Sequence, residues 1–121
     1  MIEGLDHLQL AMPEGGEAAA RDFYVRLLGL SEERKPEALA GRGGLWLSGP
    51  GLSLHLGVER PFRPARKAHP AFRVAALSRA KAEFAAAGVE TRDDAPLPGI
   101  ARFFVDDPFG NRIEILERAD V

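Results

Sequence analysis

The chain of 121 residues carries only three histidines, His7, His55 and His69, and no cysteine. Without thiols there is no disulfide, thiolate metal site or cysteine nucleophile, so any metal chemistry must use imidazole and carboxylate. That donor set suits a borderline divalent transition ion such as Fe, Mn, Ni, Co or Zn, rather than Ca or Mg. Spacing selects Glu114 as the carboxylate. Gly29 to Gly88, Gly51 to Gly110 and His55 to Glu114 are each 59 residues apart, and His7 to His69 is 62. An internal repeat with a short slip in its helical region accounts for all four offsets. His7 then pairs with His69, and His55 with Glu114. Taken singly, a strand histidine is more often a surface or hydrogen-bonded residue, and Glu114 could pair with Arg112 or Arg102. It is their joint fall on repeat-equivalent positions that makes His7, His55, His69 and Glu114 candidate metal ligands.

Hydrophobic periodicity supplies the elements that must position them. The stretch from Leu5 to Met12 reads as a strand, with His7 and Gln9 on one face and Leu8 and Leu10 on the other. From Glu17 to Leu28 the period changes, and Ala20, Phe23, Tyr24, Leu27 and Leu28 form a helical stripe closed by Gly29. A short strand is expected near Glu32 to Lys35. Two more surround Ser48-Gly49-Pro50-Gly51, in Leu45 to Leu47 and Leu52 to Leu56. The order then repeats. His69 to Ala75 reads as a strand. Ser78 is the expected cap of a helix whose stripe is Ala80, Phe84 and Ala87, with Gly88 at its end. Val89 to Thr91, Ala101 to Val105 and Arg112 to Leu116 are the remaining strands, the last two joined by Asp106-Asp107-Pro108-Phe109-Gly110-Asn111. In each ligand-bearing strand the apolar face is expected to pack on a helix, leaving His55 and Glu114 on the other side. The architecture expected is α+β: two tandem βαβββ modules, about 4–56 and 69–117, joined by a linker at 57–68 within a single domain 1–121. A pseudo-two-fold relation would gather their first and last strands around one cavity.

Further residues are candidates for that cavity. Trp46 alternates with Leu45 and Leu47, so it faces either the cavity or the core. Arg73 alternates with His69, and a guanidinium there would bind a carboxylate or phosphonate, unless it serves an ordinary salt bridge. The linker, with Phe62, Arg60, Arg63, Arg66 and Lys67, reads as a solvated loop or as a lid over an acidic substrate. Net charge is −2 with mixed signs and hydrophobic residues are 45% of the chain, which gives enough for a core and no sign of a nucleic-acid partner. No apolar run approaches a membrane span, and the start Met1-Ile2-Glu3-Gly4 does not resemble a signal peptide, so a cytoplasmic location is expected.

Over nearly its whole length the sequence resembles the vicinal oxygen chelate superfamily of glyoxalases, fosfomycin-resistance proteins and extradiol dioxygenases. The likeness rests on Gly4-Leu5-Asp6-His7-Leu8, Asp22-Phe23-Tyr24, Leu27-Leu28-Gly29-Leu30, His69 and Asp107-Pro108-Phe109-Gly110-Asn111-Arg112-Ile113-Glu114. It implies paired βαβββ modules in a cup-shaped mixed sheet with helices outside, a divalent metal held by His7, His69 and Glu114, and a homodimer. Glyoxalase I enzymes usually carry Glu or Gln at the position of His55, which here is either a fourth ligand or a base. The function expected is a metal-dependent enzyme, lyase or isomerase in type or dioxygenase-like. It would act on a small oxygen-bearing, anionic substrate, with Glu114 or His55 moving a proton. The alternatives are a drug-sequestering protein of the bleomycin-resistance type, which generally lacks the metal ligands, and a metal-free descendant that keeps its histidines for packing.

Overall fold

The computed structural model describes residues 1–119; Asp120 and Val121, the end of the expected domain 1–121, lie outside the described residues. The chain forms two compact units, Met1–Pro64 and Ala65 onward. Each is a βαβββ module.

In the first unit, β1 (Leu8–Met12) is followed by α1 (Glu17–Ala20), which runs on as a π-helical segment, Arg21–Leu27. Then come β2 (Ser31–Glu33), a 3₁₀ turn (Glu37–Arg42), β3 (Leu45–Gly49) and β4 (Leu52–Val58). The sheet order is β1-β4-β3-β2, with β1 parallel to β4 and the other pairs antiparallel. The stripe predicted for the helix is the buried one, as Ala20, Phe23 and Tyr24 are buried with Leu10, Met12, Leu45, Leu47, Leu54 and Leu56 from the sheet. The helix widens where two aromatics follow one another: the Leu28 N–H reaches the Phe23 carbonyl at 2.9 Å, five residues back. Gly29, at φ 81°, then turns the chain out of the helix as expected.

In the second unit, β5 (Ala71–Arg73), α2 (Leu77–Ala86), β6 (Arg92–Asp93), β7 (Ile100–Asp106) and β8 (Arg112–Arg118) repeat the pattern, with sheet order β5-β8-β7-β6. Phe84 of α2 meets Phe103 of β7 edge to face at 5.8 Å, over a layer of buried Val105, Ile113 and Ile115. The repeat inferred from offsets is therefore a repeat of topology.

Several local readings shift. The linker gives up Gly57 and Val58 to β4, which pair with Ala11 and Met12 of β1. Strand β5 is shorter than the stretch 69–75 because Pro70 has no N–H to donate; its carbonyl still accepts from the Glu114 N–H at 3.0 Å. Residues 89–91 are spent leaving α2, with the Val89 N–H on the Phe84 carbonyl at 2.9 Å, so pairing starts only at Arg92. Ser78 is not the cap of α2. The helix starts after Ala76, and the Leu77 N–H is taken by Glu117 Oε1 of β8 at 2.7 Å. Of the predicted α2 stripe only Phe84 is fully buried, and Ala87 is exposed.

Candidate functional site

In the first unit, alternation along the strands separates two faces. Leu54 and Leu56 turn to the helix, and His55 turns the other way. The register sets Trp46 of β3 and Gln9 of β1 directly beside His55. The His55 imidazole is stacked between two rings: Trp46 at 4.0 Å and 7° on one side, and His7 at 4.2 Å and 20° on the other. Trp46 therefore faces outward from the core. All three rings line a cavity of about 830 Å³ within this unit, whose walls also carry Arg34, Lys35 and Glu33. Burial in the stack pushes the His55 pKa down. The His7 ring adds to this, against the opposing pull of Asp6 and Glu33. His55 is therefore held neutral near pH 7. His7 precedes β1 and is oriented by Asp6, whose Oδ1 lies 2.8 Å from its Nδ1.

The loop that leads into β3 is fixed by a local contact. Gly44 turns at φ 82°, and a Cβ there would overlap the Leu56 carbonyl, so only glycine fits. Its N–H donates to Glu17 Oε2 at 2.8 Å, which ties the loop before β3 to the start of α1. This bond holds the Glu17 carboxyl below its usual range.

In the second unit the open face of the sheet carries the other two candidates. Phe104 and Glu114 stand opposite one another across β7 and β8. His69 approaches from just before β5, with its Nε2 3.1 Å from Glu114 Oε1. The other ring nitrogen, Nδ1, lies 2.9 Å from the Lys67 carbonyl, which only accepts. In the neutral imidazole this places the proton on Nδ1 and the Nε2 lone pair toward the Glu114 oxygen. Two electron-rich atoms then face each other, an arrangement satisfied by a shared cation, whether a proton or a metal ion. A backbone carbonyl on the outer nitrogen is also the usual way a metal-binding histidine is oriented. The donor chemistry of the pair therefore fits a divalent transition ion. Among the described residues no group of three or more His, Asp or Glu side chains converges, so the geometry defines two donors in this unit rather than a full shell.

Three neighbours were not singled out as site residues from sequence. Arg102 reaches Glu114 Oε2 at 3.5 Å and Asp94 Oδ2 at 3.4 Å. Phe104 packs edge to face on His69 at 5.2 Å. Arg112 lies over the same Phe104 ring, 5.4 Å from its centroid. Alternation from Glu114 back to Arg112, and from Phe104 back to Arg102, was the available signal. Arg73 stands opposite Leu116 on β5, is exposed, and forms no ion pair among the described residues.

These two βαβββ modules, each placing imidazole on the open face of its sheet and the second adding a carboxylate, are the features of one protein class. The chain belongs to the Glyoxalase/Bleomycin resistance protein/Dioxygenase superfamily, whose model matches residues 4–115. Among solved structures it is similar to a glyoxalase family protein from Bacillus anthracis, with 47% identity, TM-score 0.93, and 98% of this chain and 97% of that one covered. The fosfomycin resistance protein FosX from Listeria monocytogenes shares the fold at 17% identity and TM-score 0.80, over 100% of this chain and 94% of that one. An integron cassette protein from the mobile metagenome of Vibrio cholerae does so at 24% identity and TM-score 0.72, over 97% and 96%. No curated protein matches the chain in sequence. Among the described residues no helix is long and apolar enough to cross a membrane.

Proposed function

We propose that the chain is a metal-dependent enzyme of this superfamily, of lyase or isomerase type, acting on a small oxygen-bearing anionic substrate, with both modules serving one function. The observation that carries this reading is the His69–Glu114 pair, whose outer carbonyl contact leaves Nε2 and a carboxylate oxygen facing each other at 3.1 Å. In this reading His69 and Glu114 are metal ligands. His7, on the ground of the family resemblance, and His55, on the ground of its repeat equivalence to Glu114, are further candidates for the same role. A bound divalent ion would supply Lewis acidity, stabilising negative charge that develops on a substrate oxygen.

The remaining roles belong to the chain. Arg102 fixes the Glu114 carboxylate by its second oxygen, so that the first keeps its direction toward His69. His55, neutral and stacked on both ring faces, is held in a fixed ring orientation, which suits a general base. Trp46 presents an indole beside it for substrate packing.

The test starts from protein purified without a histidine tag. It should bind about one divalent transition ion per chain, and His69→Ala should remove that binding while leaving the domain folded. Metal-loaded protein is then screened against small α-keto, α-hydroxy and enolisable acids, reading solvent deuterium incorporated beside the carbonyl. No ion bound at micromolar concentration, or oxygen consumption on a catechol without any exchange, overturns the reading.

A further inference from the structure

The open face of the second sheet holds two guanidiniums around one aromatic ring, and they are treated differently by their neighbours. Arg102 lies 5.5 Å from the Phe104 centroid and engages Glu114 and Asp94. Arg112 lies at almost the same distance from the ring, yet forms no ion pair and no side-chain hydrogen bond among the described residues. Its Nε is buried without an acceptor, whereas its Nη atoms are not among the buried polar atoms lacking a partner.

The acids that would ordinarily neutralise Arg112 are engaged elsewhere. Asp106 stands directly opposite it in the β7–β8 register, where a cross-strand ion pair would form. The Asp106 carboxylate goes instead to Arg92 at 2.8 Å and Arg66 at 3.6 Å. Glu114, two residues along the same face, is engaged by Arg102 and faces His69. Phe104, over which the Arg112 guanidinium lies, offers only its ring. A half-buried guanidinium without an acceptor at Nε is unfavourable, and the fold does not relieve it. Its planar fork matches the oxygens of a carboxylate or phosphonate.

We propose that Arg112 binds the anionic group of the substrate, holding a carboxylate or phosphonate against Phe104 beside the His69–Glu114 pair. This deepens the proposed function and rests on its placing of substrate at that pair. It assigns to Arg112 the anion contact that strand alternation alone offered to Arg73.

The test is side-chain NMR of the full chain, dialysed against a chelator so that no metal competes for the anion. Inorganic phosphate is titrated first and acetate second. The Arg112 Nε–H resonance should shift saturably, more strongly with phosphate if the substrate is a phosphonate or phosphate and with acetate if it is a carboxylate. Arg112→Met should weaken that binding by roughly 10- to 100-fold, the range for a charge-assisted contact, while Arg73→Met leaves it unchanged. The decisive shift is read on the wild-type protein, so it does not depend on how a variant folds. A resonance that responds to neither anion overturns the proposal, as does binding lost in Arg73→Met and kept in Arg112→Met. Metal binding is measured separately, so failure here leaves the metal reading standing, and failure of that reading leaves the anion titration interpretable.

Discussion

The indole of Trp46 and the imidazole of His55 lie 4.0 Å apart and within 7° of parallel, on adjacent strands in direct register. Trp46 is the only tryptophan in the chain, so its fluorescence reports this one contact. A protonated imidazole quenches a stacked indole, whereas the neutral form does so far less. Burial holds the His55 pKa below that of a free histidine, about 6.5. Emission should therefore fall on acidification with a midpoint below that value, and His55→Gln should remove the transition. The same shift has a stability consequence. A depressed histidine means the unfolded chain binds the proton more readily, so this group favours the fold above about pH 6.5 and weakens it as pH falls through the folded-state value. A midpoint at or above that of free histidine would contradict the burial of this ring.

Glu17 gives a second titration of ordinary carboxylate sign. Its carboxyl is held low first by the Gly44 N–H, with smaller contributions from Arg21 and Lys35. Its contribution is present above the unfolded-state value and is lost as pH falls through the lower folded one. Glu17→Gln should destabilise the protein by roughly 1–2 kcal/mol at pH 7, the range for a hydrogen bond to a charged group at a partly buried site. The difference from wild type should shrink at pH 3, as followed by urea denaturation at both pH values.

What was legible in the sequence followed from periodicity and repetition. Gly29 and Gly88 ended both helices where their spacing placed them, and His55 and Glu114 fell on the faces that alternation assigned. What was hidden depended on partners distant in sequence. Nothing near Ser78 shows that Glu117, 40 residues away from Leu77, caps α2. In the same way, Arg112 and Arg102 read alike as strand arginines. The structure distinguishes them, because Arg102 engages Glu114 and Asp94 while Asp106, opposite Arg112, goes to Arg66 and Arg92.

The non-local cap is itself testable. Glu117→Ala removes the acceptor of the Leu77 N–H, and loss of a helix cap costs about 1 kcal/mol. Ser78→Ala removes no capping bond and should be close to neutral. Thermal melts of the two variants should differ in that order. A larger loss in Ser78→Ala would return the cap to the serine.

Each four-stranded sheet leaves its terminal strands, β1 and β2 or β5 and β6, without a second neighbour among the described residues. Exposed edges invite pairing between chains. A homodimer is expected, as the family resemblance also implies. Light scattering at tens of micromolar protein should return twice the chain mass of 13.1 kDa, and a monomer at that concentration would count against it.

The metal reading predicts a stability change separate from any activity. An ion that binds the folded chain and not the unfolded one stabilises it by mass action, by about 2.7 kcal/mol at a hundredfold excess over the dissociation constant. The melting temperature should rise as the ion is added and return on chelation. In His69→Ala, which loses the Nε2 donor facing Glu114, the rise should vanish. Glu114→Gln keeps the shape but exchanges a charged ligand for a weak neutral one, so its response should be small. Arg102→Met leaves both donors in place and frees the second Glu114 oxygen, so it should still respond to the ion. A shift that persists in His69→Ala at the wild-type concentration would place the ion elsewhere in the chain.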